Sequence, residues 1–337
     1  MGKVAKNMSE TNHTETIAAV VVTYNRKKLL TECLDALLSG NHSIDKIILI
    51  DNGSTDDTPD LLKQKGYLEN DRIDYIRLPI NTGGAGGFYE GVKYGYDAGY
   101  DWLWLMDDDA EPKADALEKL VEYFDQTNVS ALANLKIDQK NGIIDTHIGV
   151  FDFKDSLKFN TDIFRKVEDE AINDSKVLEI DFSSFVGILI KKEAIAQVGF
   201  PKKELFIYHD DLEYCIRLRS IGRILLVTNS CIVHKDAANR GEIHKNFLGK
   251  TLHRDAYDKL WLVYYGTRNL IWLRKNYVSK MQFYINLFKD YFRSTFAILL
   301  FDDKKFKRIR LLTESYLDGL KGNFDNFKPK GILYKKS

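Results

Sequence analysis

Short runs of apolar, β-branched residues that stop abruptly at polar clusters most limit the folds open to this chain. IAAVVVT at 17–23 ends at Tyr24-Asn25-Arg26, KIILID at 46–51 runs into Asn52-Gly53-Ser54-Thr55-Asp56-Asp57, and WLWLM at 102–106 runs into Asp107-Asp108-Asp109. A strand buried on both faces reads this way, because neither side of its pleat meets water. A third strand is expected at 73–78. Between the strands lie segments of helical spacing: 27–39 with Leu30, Leu34, Leu37 and Leu38, a helix opened by Pro59, and 88–99. The alternation predicts an α/β fold with a mostly parallel sheet and helices on both faces. Ligands of such sheets sit at the carboxyl ends of the strands, and the clusters at 23–26, 51–57 and 107–109 all fall there.

The cluster Asp107-Asp108-Asp109 carries the most chemistry. Three adjacent carboxylates repel one another strongly without a cation, and a hard divalent ion takes oxygen ligands while neutralising a diphosphate. The competing reading is the N-terminus of a helix at 113–124, where capping accounts for one carboxylate and not for three. At 51–57, Asp51 suits the imide N–H of a pyrimidine base, yet the same residues make an ordinary Asx-rich turn, and the spacing does not choose. Gly83-Gly84-Ala85-Gly86-Gly87 fails as a dinucleotide fingerprint, since the third glycine would fall at Tyr89. These glycines instead allow close backbone approach, to a ligand or to another segment, or make a flexible turn with no ligand. Asp210 and Asp211 begin a predicted helix, as dipole-stabilised caps or with one of them as a general base for an acceptor hydroxyl. Glu213 and Arg217, four apart, read as a surface ion pair. His234 ends the run 224–233, and its interest depends on whether the fold returns it to Asp107–Asp109.

Taken in order, TYNR, IDNGSTDDT, NTGGAGGF, WLMDDDA, FVGILIKKEAIAQVGF, FIYHDDLEYCIRL and CIVH resemble family 2 glycosyltransferases of the GT-A fold, over about residues 17–235. The stretch Asn81 to Phe88 is most similar to bacterial galactofuranosyl- and rhamnosyltransferases. The resemblance implies an inverting transfer from a nucleoside-diphosphate sugar (UDP or dTDP) to a glycan or lipid-linked acceptor in surface polysaccharide synthesis. It implies Mn2+ or Mg2+ on Asp107, Asp109 and His234, with Asp108 against the ribose or sugar and Asp51 at the base. Thr23, Asn25, Arg26, Asn81, Gly83 and Gly84 complete the expected donor-binding set. Asp211 matches the general base, with Asp210 and Glu213 shaping the acceptor side. Many relatives carry a tryptophan where His209 stands, which leaves acceptor stacking there without its usual ring. The competing reading from another class is a non-catalytic carbohydrate- or nucleotide-binding protein on the same scaffold.

Bulk properties fit this reading. Forty-nine basic and 49 acidic side chains leave no net charge, which argues against a nucleic-acid partner. Three cysteines without paired spacing suit reduced thiols in the cytoplasm. The polar residues 1–16 read as a disordered leader, 17–240 as the nucleotide-sugar domain, 152–177 as a loop or partly ordered excursion, and 241–337 as a helical appendage. Within that appendage, 268–310 holds eleven basic side chains against Asp290, Asp302 and Asp303, interleaved with aromatics. Such a region suits peripheral docking on an anionic membrane surface, or an oligomer contact with aromatics in its core; sequence alone does not assign the faces.

Overall fold

The computed structural model describes residues 15–151, 164–235, 242–247, 250–278 and 280–334. Nearly all of the expected leader, and 152–163 of the expected loop, lie outside these residues. The first third alternates as its apolar runs predict: β1 (Ile17–Thr23), α1 (Lys27–Leu38), β2 (Lys46–Asp51), α2 (Thr58–Gln64), β3 (Ile73–Arg77), α3 (Gly83–Ala98) and β4 (Trp102–Asp107). The middle is more irregular, with β5 (Ala110–Pro112), α4 (Ala116–Val121), β6 (Val129–Ile137), β7 (Ile148–Phe151), β8 (Phe164–Arg165) and α5 (Asp169–Asp174). Then come β9 (Val177–Ile180), β10 (Phe182–Ser183), β11 (Ile188–Lys191), α6 (Lys192–Val198), α7 (Asp210–Ile221) and β12 (Arg223–His234). A hairpin of β13 (Glu242–Phe247) and β14 (Lys250–Asp255) precedes the helices α8 (Leu260–Tyr277), α9 (Lys280–Phe301), α10 (Lys305–Lys321) and α11 (Lys328–Tyr334).

Among the described residues nine strands form the main sheet, in the order β3-β2-β1-β4-β11-β6-β12-β5 with β9 also on β12. The β1–β4 half is parallel, as expected, whereas β11, β5 and β9 pair antiparallel with their neighbours, so the whole sheet is mixed. Its two faces are both covered. Ala18, Val20 and Val22 turn toward one apolar layer with Phe88 and Val92 of α3, while Ile17, Ala19 and Val21 turn to the other with Leu30 and Leu34 of α1. Double-sided burial is why β1 has no polar alternation.

The register sets the site. Thr23 pairs with Asp51 and Val22 with Asp107, so the carboxyl ends of β1, β2 and β4 arrive at one edge. β12 pairs with β5 through His234 and Ala110, which returns that histidine to the acidic cluster.

Three expectations are corrected. Helix α3 begins at Gly83 rather than 88, because the glycines form its first turn and then a flat face: added Cβ atoms at Gly87, Gly91 and Gly95 would lie 2.4, 2.3 and 2.5 Å from Val22, Val20 and Leu103. The chain after Asp109 passes into β5, and α4 starts only at Ala116, so the three aspartates cap no helix. Past 250 the chain completes a hairpin before turning helical.

Candidate functional site

At the carboxyl end of β4, Asp107 is half-buried and Asp108 and Asp109 are buried. One ligand atom each from Asp107, Asp109 and His234 lies within 4.8 Å of the others. His234 Nε2 lies 3.3 Å from Asp109 Oδ1. That oxygen and His234 Nδ1 are both buried without a hydrogen-bond partner. Orphaned buried acceptors are costly, and a divalent cation would satisfy such a carboxylate–imidazole set. The residues therefore fit a metal ion. Electrostatics agree: burial, then the nearby Asp109, raises the Asp107 pKa. Burial works to lower the His234 pKa, but Asp109 and Asp107 outweigh it and hold it above its ordinary value.

Arg26, just past β1, supplies part of the missing positive charge. Its guanidinium sits 3.1 Å from Asp108 Oδ1 and also ion-pairs with Asp109. Thr23 Oγ1 donates to Asp108 Oδ2 at 2.7 Å. Burial still raises Asp108 to about 7, against the opposing pull of Arg26 and Thr23.

Asn25, in the left-handed region at φ 57°, stitches two loops together: its Oδ1 accepts from the Thr55 and Asp56 amides at 2.7 and 3.2 Å. Asp51 is fully buried, with one oxygen accepting from the Ser54 amide at 2.8 Å and the other from Tyr75 Oη at 2.6 Å. Asn52 holds the start of α3. It donates to the Gly83 carbonyl at 2.7 Å and accepts from the Thr82 amide at 2.9 Å, while Asn81 Oδ1 accepts from the Gly83 amide at 2.7 Å. Gly83 must be glycine, since at φ 77° a Cβ would stand 2.0 Å from the Phe206 carbonyl. Gly84 faces open space.

Across the site, Asp210 and Asp211 open α7, and the Leu212 amide donates to Asp211 Oδ1 at 2.7 Å. Burial raises both carboxyl pKa values, and at Asp210 the charge of Asp211 adds to it. The approach to α7 is strained, with Phe206, Tyr208 and His209 all at positive φ near 65°. Helix α8 restrains it. Asn269 Nδ2 donates to the carbonyls of Leu205, Ile207 and Tyr208 at 2.9, 3.0 and 2.8 Å, and Arg268 Nη2 reaches the Leu205 carbonyl at 3.0 Å. Phe206 stacks on Tyr265 at 4.7 Å. His209 is held neutral, its pKa lowered to about 4 by burial and then by Arg274.

A cavity of about 440 Å³ joins the two halves, lined by Arg26, Gly84 and Asp107 on one side and by Tyr208, Asp210 and Asp211 on the other. Of the expected site residues, Arg26, Gly84, Asp107, Asp210 and Asp211 line this cavity, and Glu213 does not. It is fully buried and paired with Arg217, which also bonds the Val198 and Phe200 carbonyls. The pair is thus an internal brace, not a surface pair. Arg268 and Arg308 likewise leave the expected surface patch, since both are buried.

Several residues were missed. Asn52 sits inside a motif already singled out. His147, whose ring centroid lies 5.0 Å from that of His234, comes from a region without periodicity. Lys136, fully buried on β6, donates to Ser183, and burial lowers its pKa to about 7. Asn269 lies in a helix whose pattern says only that it is amphipathic. No local signal marks His147, Lys136 or Asn269.

Residues 18–199 match the profile of the family described as Glycosyl transferase family 2. The chain is 29% identical over 218 residues to galactofuranosyltransferase GlfT1 of Mycolicibacterium smegmatis, covering 62% of this chain and 67% of that protein. Its counterpart in Mycobacterium tuberculosis is 28% identical over 214 residues, covering 62% and 66%. A poly-beta-1,6-N-acetyl-D-glucosamine synthase of Staphylococcus epidermidis is 26% identical over 138 residues, covering 40% and 32%. The match therefore spans about two thirds of the galactofuranosyltransferases and a third of the synthase. Two solved structures share the fold. GalNAc-T7 with UDP, GalNAc and Mn2+ superposes with a TM-score of 0.57 at 12% identity, covering 96% of this chain and 59% of that one. S. aureus TarS 1-349 gives 0.53 at 13%, covering 94% and 90%.

Proposed function

This chain belongs to glycosyl transferase family 2, and from that premise we propose that it moves a sugar, galactofuranose before rhamnose, from a nucleoside diphosphate to a hydroxyl of a glycan or lipid-linked acceptor in surface polysaccharide synthesis. The observation that carries this reading is a cavity lined both by Asp107 of the acidic cluster and by Asp210 and Asp211 at the start of α7. Similarity to the GlfT1 proteins favours galactofuranose.

Asp107, Asp109 and His234 would hold Mn2+ or Mg2+, which supplies positive charge against a diphosphate leaving group. Arg26 adds a fixed cation beside them. Thr23 orients Asp108 toward the donor, and the loops tied by Asn25 and Asn52 form the nucleotide cradle, with Asp51 and Asn81 beneath it. Asp211 accepts the proton of the acceptor hydroxyl as that oxygen bonds to the anomeric carbon, and the bond to the diphosphate breaks on the opposite side. One displacement inverts the centre. Asp210 keeps the pair of carboxyls oriented, and Tyr208 offers an aromatic face to the cavity beside His209, which also lines it.

Thermal unfolding with UDP, dTDP or GDP, each with and without Mn2+, tests the donor side. Saturating UDP with Mn2+ is expected to stabilise the fold most, by roughly 2 to 3 kcal/mol at a hundredfold excess over Kd. Asp109→Asn should lose the Mn2+-dependent part. A larger shift with dTDP would move the donor to rhamnose, and no shift with any nucleotide would sink the reading.

A further inference from the structure

Helix α9 is apolar on two faces. Phe283 and Ile298 are buried, and Leu287 and Tyr291 pack inward beside Tyr316 of α10. The opposite face has no covering among the described residues: Met281, Ile285, Phe288, Phe292, Phe296 and Leu299 are each between 47% and 73% exposed. Their spacing of three and four residues draws one stripe along a helix about 33 Å long. A soluble surface rarely leaves a row of this kind in water unless something covers it.

The charges around the stripe identify what covers it. Lys280, Lys289 and Arg293 are the basic residues of α9, and its one acid, Asp290, is buried and ion-paired with Arg274 and Arg293. At the turn into α10, Phe306 stands 92% exposed among Lys304, Lys305 and Lys307. A second copy of this face would bring lysines against lysines, with no exposed acid on the helix to answer them. An anionic partner with an apolar interior answers both features at once.

We propose that the outward face of α9, with the Phe306 turn, docks the protein on an anionic lipid surface, its aromatics at the headgroup boundary and its lysines on the phosphates. No described helix is long and apolar enough to cross a bilayer, and docking requires none. The surface gives the lipid-linked acceptor of the proposed transfer a place to be met; only that use rests on the transfer reading.

Co-sedimentation of the full chain with vesicles, without donor or acceptor, reads docking alone, so a failure here is distinct from a failure of transfer. Binding is expected to vesicles of phosphatidylcholine with phosphatidylglycerol and not to phosphatidylcholine alone, with release as salt rises. Lys280→Ala and Lys305→Ala should each weaken binding about fivefold. The double variant Phe288→Glu, Phe292→Glu should abolish it with an unchanged melting temperature, since both rings point outward. Equal binding to neutral vesicles, or none to either, would overturn the proposal. So would a concentration-dependent dimer in ultracentrifugation that the double variant dissolves, which would assign the face to a second copy.

Discussion

At the scale of single residues, the site stores unfavourable electrostatics that only a ligand or a proton relieves. Asp210 shows the sign. Burial first, and the charge of Asp211 second, raise its pKa. A folded-state pKa above the unfolded one means that the folded chain holds the proton more tightly. Stability from this group is therefore fully present below the ordinary carboxylate value of about 4, and is lost as pH rises through the raised value. Asp210→Asn cannot ionise, so it should melt higher than the parent near pH 8 and lose most of that advantage near pH 4. An equal difference at both pH values would mean that the carboxylate carries no such strain. Asp107 and Asp108, both raised by burial, follow the same logic, whereas at Asp109 burial is outweighed by His234 and Arg26, which hold that carboxyl below its ordinary value.

Elements explain why some of this was legible in advance. Strands buried on both faces announce themselves as apolar runs, and their polar stops mark the sheet edge where Thr23, Asp51 and Asp107 gather. The acidic stop at 107–109 was equally plain, and its pairing with His234 needed only the β12–β5 register. What stayed hidden depends on tertiary contact. The glycine cluster reads only as a place of close approach or a turn until α3 is laid on the sheet, where Gly87 sits against Val22 and Gly91, one turn on, against Val20. Nothing local to 264–270 says that α8 grips the loop before α7. That grip is testable. Asn269→Leu removes three bonds to the carbonyls of Leu205, Ile207 and Tyr208, in the segment where Phe206, Tyr208 and His209 hold positive φ, so Asp211, the proposed base, should lose its aim. Turnover is expected to fall between about ten- and a hundredfold with the donor KM unchanged. A variant with normal turnover would show that the loop holds itself.

Across the whole molecule, the two sides of the cavity come from different parts of the chain. In the proposed transfer the parallel half of the sheet would carry the donor-side loops, and α7, braced by Arg217 on Glu213 and by α8, the acceptor side. Activation of the acceptor and binding of the donor should therefore be separable by one side chain. Asp211→Asn keeps the shape and much of the hydrogen bonding of the carboxylate but cannot take a proton. The most direct measurement pairs calorimetry of UDP and Mn2+ binding with product formation from a UDP-sugar by parent and variant. The account predicts unchanged nucleotide and metal affinity, with turnover down on the order of a hundredfold or more. Normal transfer by Asp211→Asn would contradict it.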